Sequence, residues 1–270
     1  MYSIRVRLLA KFPSMLYNQF MAANLKGKKT IGDFSQEVLI EQQLFDYLKA
    51  KIDSVKNKEC KVISIVGGAA SGKTTLANHL KQYLGSADTL STDDYVIGDR
   101  KYRRENLEGK DPTQKYDFVI LNQHINTIKE LKEGENIAVP TYNEQTGEAL
   151  AATEWMHKIG KVHYIVVEGD FDAVDAHDLL VYFDVPNDIR LSNRVKRDQI
   201  TRNATQEEIE QNFYLRQELQ HKPYTEPTKK KADVVIKALL AKATAKYTYE
   251  VIEKKHLSSK NLLTDNTKNL

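Results

Sequence analysis

Eight consecutive residues, Gly67-Gly-Ala-Ala-Ser-Gly72-Lys73-Thr74, narrow the possible folds more than any other feature of the chain. They match the Walker A pattern in full, and each residue type has a physical reason to be there. Glycines let the backbone curl so that its N–H groups converge on an anion. A lysine brings a mobile positive charge to the outer phosphates of a nucleotide, and a Thr hydroxyl suits a magnesium ion. Such a loop must join a buried strand to a helix whose N-terminus attracts anions. Both are written beside it: Val62–Val66 is a short β-branched run, and Leu76, Leu80 and Leu84 lie on one side of a helix over Thr74–Leu84. Gly67, Gly68, Ala69, Ala70, Ser71, Gly72, Lys73, Thr74 and Thr75 are therefore the expected nucleotide-binding residues.

The rest of the chain reads as strands alternating with helices. Further strands are expected at Thr89–Leu90, Ile137–Val139, Tyr164–Val167, Leu179–Phe183 and, last, Val234–Ile236. Helices are expected at Ser35–Val55, Phe118–Leu131 and Asn187–Thr201, with another opening at Thr205, where Glu208 completes a capping box. This order predicts an α/β protein of the P-loop NTPase fold, with a mostly parallel sheet, helices on both faces and a helical N-terminal extension. The expected organisation is an N-terminal extension over 1–58, one domain over 59–257 and a polar tail over 258–270.

Bulk properties exclude several functions. The 270 residues are 41% hydrophobic and 29% charged, enough for one large domain with a real core. Lys and Arg number 40 against 37 acids, a balance that speaks against nucleic-acid or membrane-surface partners. The single cysteine, Cys60, excludes an internal disulfide and a Cys-rich metal site. No apolar run reaches the roughly 18–20 residues that span a bilayer. The first 32 residues hold no acid, a composition shared with mitochondrial presequences and equally with a plain basic segment or a start ahead of Met15 or Met21. A cytoplasmic location and a homo-oligomer are the working expectations.

Two acidic spots follow strands, where ligands of open α/β sheets bind. Ser91-Thr92-Asp93-Asp94-Tyr95 follows Leu90, and Glu168-Gly169-Asp170 follows Val167. Transfer of a phosphoryl group to a hydroxyl needs one carboxylate to accept the proton and another to help hold Mg²⁺. Asp93 and Glu168 fit by position. No Asn-Lys-x-Asp sequence occurs, which lowers the guanine-nucleotide switch reading.

These segments together resemble the uridine kinase and phosphoribulokinase family from about Lys61 to Ile236. Val66–Thr75 is similar to its phosphate loop, Leu90–Asp93 to its catalytic strand end, and Val139-Pro-Thr-Tyr142 to its acceptor-side Pro-x-Tyr. Val166-Val-Glu168-Gly169 resembles its Glu-Gly strand end, Arg190–Asp198 with Arg202 its lid helix, and Glu226–Ile236 its closing segment. The resemblance implies ATP and Mg²⁺ as cofactors and a small hydroxyl compound as acceptor. It implies Asp93 as base, Thr74 and Glu168 at Mg²⁺, and Lys73, Arg194, Arg197 and Arg202 on the ATP phosphates. Asp94, Tyr95, Arg104 and Tyr142 are the expected acceptor-side residues.

Departures from the family pattern bear on the acceptor. Tyr142-Asn-Glu-Gln-Thr-Gly147 lacks the His and Arg that uridine kinases carry there, Ala204 stands at the last lid arginine, and Asp170 replaces an apolar residue. The run Arg100-Lys-Tyr-Arg-Arg104 reads as an anion contact or as a solvated surface loop. The expected substrate is a nucleoside such as uridine; a sugar phosphate, pantothenate or another hydroxy acid is the alternative. A nucleotide sensor without phosphotransfer is the reading from another class.

Overall fold

The β-branched and apolar runs that bracket the phosphate loop become the middle of a single large sheet. A computed structural model describes residues 29–31, 34–39, 41–153, 155–202, 204–241 and 246–254. The acid-poor N-terminal segment falls almost wholly outside these residues, as does the polar tail. The chain runs β1 (Lys29–Ile31), β2 (Phe34–Leu39), α1 (Glu41–Asp53), β3 (Lys61–Gly67), α2 (Lys73–Leu84) and β4 (Ala87–Ser91). After a 3₁₀ turn (Thr92–Tyr95) come α3 (Arg100–Leu107), α4 (Phe118–Glu130), β5 (Asn136–Ala138), β6 (Thr141–Asn143), β7 (Glu148–Leu150) and β8 (Lys158–Gly160). Then follow β9 (Tyr164–Gly169), β10 (Leu179–Asp184), α5 (Asn187–Arg202) and α6 (Gln206–Arg216). A wide π-helical turn (Gln217–Thr225), α7 (Thr228–Lys231), β11 (Val234–Ala241) and β12 (Lys246–Lys254) complete it.

The sheet order is β1-β2-β12-β11-β10-β3-β9-β4. Strands β11, β10, β3, β9 and β4 are parallel, while β12, β2 and β1 add an antiparallel edge. From β3 the chain crosses past β9's place to β4, and from β9 it returns across β3 to β10. That reversal opens a crevice at the carboxyl ends of β3 and β9, where α/β sheets bind ligands.

Alternation along β3 feeds two cores. Ile63 and Ile65 face the cluster that holds Leu44, Leu48, Leu76 and Leu80; Val62 faces the one that holds Leu90, Leu121, Ile125 and Ile128. Helix α1 buries Leu44, Phe45, Leu48 and Ile52 in the first cluster. At about 1.5–3 kcal/mol for each such side chain, this helix is part of the domain's own core.

The structure corrects three readings. The helix expected from Ser35 starts at Glu41, because residues 34–39 pair with β12 (Val38 opposite Glu250), and tertiary pairing overrides local periodicity. The strand at Val234 is longer than expected and is not the last, since β12 follows it antiparallel. Arg100–Arg104 is neither loop nor turn but the start of α3, capped by the Asp99 side chain on Tyr102 N–H.

Candidate active site

Strand β3 delivers the phosphate loop directly into the crevice. Gly72 sits at φ +88°, the left-handed region that favours glycine, and starts α2 at Lys73. Gly67 and Gly68 are small for packing reasons: a Cβ would lie 2.5 Å from Phe183 O at the first and 2.2 Å from Arg190 Cζ at the second. Neither lines the open cleft of about 1560 Å³, whereas Ala69 through Thr75 do.

Lys73 is buried, and its Nζ donates to Gly68 O at 3.0 Å and to Asp170 Oδ1 at 2.9 Å. Thr74 Oγ1 and Ser91 Oγ both donate to Glu168 Oε1, at 3.0 and 2.8 Å. This brings the ends of β3, β4 and β9 to one carboxylate. Burial pushes the Glu168 carboxyl above its ordinary range, against the pull of Lys73. Asp170, also set among protein, lies below its ordinary range; the desolvation it suffers is more than offset by Lys73, Arg216 and Arg190.

The 3₁₀ turn after β4 separates its three expected site residues. Asp93 stands in the cleft wall, raised to about 6 by the protein packed around it and then by Asp170 and Glu168. Its residue surface remains open to the cleft, so water there tempers the first of these causes. Asp94 is a brace: its Oδ1 accepts Tyr142 N–H at 2.7 Å and its Oδ2 accepts Ser91 N–H at 3.3 Å. Tyr95 does not line the cleft. It points into the core beside Leu121 and Ile125, with its hydroxyl 3.0 Å from His124 Nδ1, because one residue further along the turn faces inward.

Helix α5 brings the arginines. Asp198, which the sequence reading left without a role, is their hub. Its carboxylate accepts Arg197 Nε at 2.8 Å, Arg202 Nη1 at 3.2 Å and Arg194 Nε at 3.4 Å. Arg194 is buried and its Nη1 has no hydrogen-bond partner among the described residues; nor has Ser71 Oγ in the phosphate loop. Burial and the nearby Arg216 lower the Arg194 guanidinium to about 10. Arg190 and Asn193 instead hold the loop's backbone, donating to Ala69 O at 3.0 Å and Ala70 O at 3.2 Å.

The basic run on α3 divides by function. Arg100 donates to Gln145 O at 2.7 Å and to Glu144 O, and Arg103 to Gly147 O at 2.6 Å. Both therefore clamp the β6–β7 hairpin, which carries Tyr142 to the cleft. Arg104 is exposed on the cleft wall with no ion-pair or hydrogen-bond partner among the described residues. The sequence reading missed Lys115, Tyr116 and Arg216, which also line the cleft. Tyr116 stacks on Phe118 and meets Phe171 edge-on, each with ring centroids 5.5 Å apart. Burial and then Arg216 lower the Lys115 ammonium. In the sequence, the aromatic pair of Tyr116-Asp-Phe118 is the one local signal that could point to this wall.

Comparison with known proteins gives the family. The model of the Phosphoribulokinase / Uridine kinase family matches residues 62–245. A uridine kinase of Borrelia duttonii is 31% identical over 183 residues, spanning 65% of this chain and 85% of that protein. One of Staphylococcus epidermidis is 31% identical over 188 residues, spanning 65% and 86%. Among solved structures, D-glycerate 3-kinase from Cryptococcus neoformans var. grubii superposes with a TM-score of 0.54 over 73% of this chain and 94% of that one, sharing the fold at 14% identity. With the phosphate loop, the strand-end carboxylates and the arginine helix converging on one crevice, and a family match spanning all of them, the chain belongs to the phosphoribulokinase and uridine kinase family and is a small-molecule kinase.

Proposed function

We propose that this kinase moves the γ-phosphoryl group of Mg·ATP to a hydroxyl of a small metabolite, with Asp93 as the base. The observation that carries this reading is the convergence of Lys73, Thr74, Glu168 and Asp93 at the ends of β3, β9 and β4. The residues suit the nucleotide: the left-handed Gly72, the N-terminus of α2, and the buried Arg194 Nη1 and Ser71 Oγ, without partners among the described residues, all suit phosphate oxygens. Thr74 and Glu168 would hold Mg²⁺ together with those oxygens, the usual mode for an ion that keeps several waters. When bound, the ion neutralises developing charge on the phosphoryl oxygens.

Within this reading Lys73 lies where the β- and γ-phosphates arrive, and Arg194, Arg197 and Arg202 face the same cleft from α5. Asp93 takes the proton from the acceptor hydroxyl, and its raised carboxyl makes it a stronger base than an ordinary aspartate. Most of the rate enhancement comes from positioning and charge stabilisation, as phosphoryl transfer requires little covalent chemistry from the protein.

For the acceptor, the curated relatives point to a nucleoside such as uridine. Lys115, Arg216 and Arg104 favour a second reading, a hydroxyl compound that also carries a carboxylate or phosphate. None of the three has an ion-pair partner among the described residues, and Lys115 is pressed by the charge of Arg216. A coupled ADP-release assay over uridine, cytidine, pentose phosphates, pantothenate and glycerate separates the two. Turnover of uridine with kcat/KM above roughly 10⁴ M⁻¹s⁻¹ supports the nucleoside reading, and preference for an anionic compound supports the second. ADP release that never depends on an acceptor overturns both.

A further inference from the structure

The residue after the Glu168-Gly169 strand end is an aspartate, and the two oxygens of its carboxylate reach in different directions. Oδ1 accepts Lys73 Nζ at 2.9 Å. Oδ2 accepts Gln220 Nε2 at 3.0 Å, from the wide turn that follows α6. The side chains of Lys73 and Asp170 are only 7% and 18% exposed, so this ion pair is formed largely out of water. A second buried link runs alongside it. Arg190 donates to Ala69 O in the phosphate loop, and its Nη2 donates to Gln217 Oε1 at 3.4 Å in the same wide turn. Its guanidinium also lies over the Phe213 ring of α6. The phosphate loop is thus tied at two points to the segment that follows the arginine helix.

Lys73 Nζ is the atom that a Walker A loop presents to the β- and γ-phosphates. It has few donors to share, and in this structure one is taken by a backbone carbonyl and another by Asp170. A nucleotide's outer phosphates and the Asp170 carboxylate are therefore rivals for one cation. Gln220 holds the carboxylate in position for that contest.

We propose that Asp170 is a positioning residue that acts through Lys73: it serves as an internal counter-ion that the β- and γ-phosphates must displace, and so sets how tightly the enzyme holds ATP and ADP. The proposal rests on the reading that nucleotide phosphates enter this loop. Its consequence is discrimination by the outer phosphates. A nucleotide that carries them gains Lys73 at the expense of Asp170, and one that lacks them never enters the contest. Product ADP is held less firmly than it would be by an unopposed lysine, which favours its release.

The test is calorimetric titration of the 270-residue chain with Mg·ATP, Mg·ADP and AMP. Wild type is compared with Asp170→Asn, Lys73→Ala and the double variant. Asp170→Asn is expected to tighten ATP and ADP by roughly tenfold, the scale on which a charge-assisted hydrogen bond exceeds a neutral one, and to leave AMP unchanged. The gain should vanish when Lys73 is already alanine. Weaker ATP binding in Asp170→Asn would overturn the proposal, because it would make the pair a structural brace. Equal tightening of AMP, or the same gain without Lys73, would also overturn it, because general repulsion of the ligand would then suffice. If Asp170→Asn does not fold, Gln220→Ala carries the test, with ADP affinity rising roughly twofold in support and unchanged or reduced affinity against. Wild type that binds no ATP at all would sink the kinase reading itself, an outcome separate from each of these.

Discussion

Replacing Asp198 with alanine removes the hub that holds three arginines of α5, and the structure allows the cost to be sized. Arg197 and Arg202 are 45% and 38% exposed, so each loses a pairing worth up to about 1 kcal/mol. Arg194 differs, because its side chain is 6% exposed and its partner's is 3%. Breaking a buried pair by removing one member costs about 3–5 kcal/mol, and the 3.4 Å separation from Nε argues for the lower end. The three losses together come to about 3–5 kcal/mol, a fall in Tm of roughly 6–20 °C for a domain of this size. Phosphates would give Arg194 a replacement partner, so saturating Mg·ATP should shrink the gap between variant and wild type to less than half. Thermal unfolding of both proteins with and without Mg·ATP measures this. A loss under about 2 °C without nucleotide would refute the burial argument. An equal loss with and without nucleotide would refute the placing of Arg194 at the phosphates.

Lys73→Ala should abolish turnover and weaken Mg·ATP binding in calorimetry, and an unchanged affinity would remove the lysine from the phosphate site. Glu168→Gln should raise the Mg²⁺ concentration needed for half-maximal rate; the hydroxyls of Thr74 and Ser91 would survive as partners, so the change isolates the carboxylate's charge. The base must be ionised to accept a proton, and the protein packed around Asp93, followed by Asp170 and Glu168, raises it to about 6, an upper bound given the water in the cleft. The rate kcat/KM should therefore fall about tenfold per pH unit below that value, whereas a profile flat down to pH 5 would show an ordinary carboxylate or a different base.

How much of this could be read from sequence depended on how local each signal was. The phosphate loop and the strands β3, β9 and β10 are written in consecutive residues, and so is the Thr205–Glu208 capping box, which the structure shows in full. Residues 34–39 misled because Val38 also continued the helical spacing of Leu44, Phe45 and Leu48, and only pairing with β12 makes that segment a strand. The polar architecture of the site was hidden for a different reason. Asp170 meets Lys73 across 97 positions, Arg190 meets Ala69 across 121, and Arg100 meets Gln145 across 45. No single-sequence pattern encodes such partners, so a basic run that reads as an anion contact or a solvated surface loop holds two hairpin clamps, an exposed Lys101–Glu105 pair and, among the described residues, Arg104 without a partner. Tyr95 shows the same limit at short range: a 3₁₀ turn sends Asp93 to the cleft and its neighbour two places on to the core.

Asp93 as the base toward an acceptor hydroxyl is the central assignment for this kinase. The direct measurement is acceptor-dependent phosphoryl transfer by Asp93→Asn beside wild type and Asp94→Asn, with Mg·ATP affinity determined on the same samples. Asp93→Asn should bind Mg·ATP nearly as wild type does and lose roughly 10²–10⁴ in kcat, the usual worth of a positioned general base. Asp94→Asn, which keeps an oxygen for Tyr142 N–H, should lose less. Asp93→Asn turning over at the wild-type rate, or Asp94→Asn proving the more damaging change, would contradict the assignment.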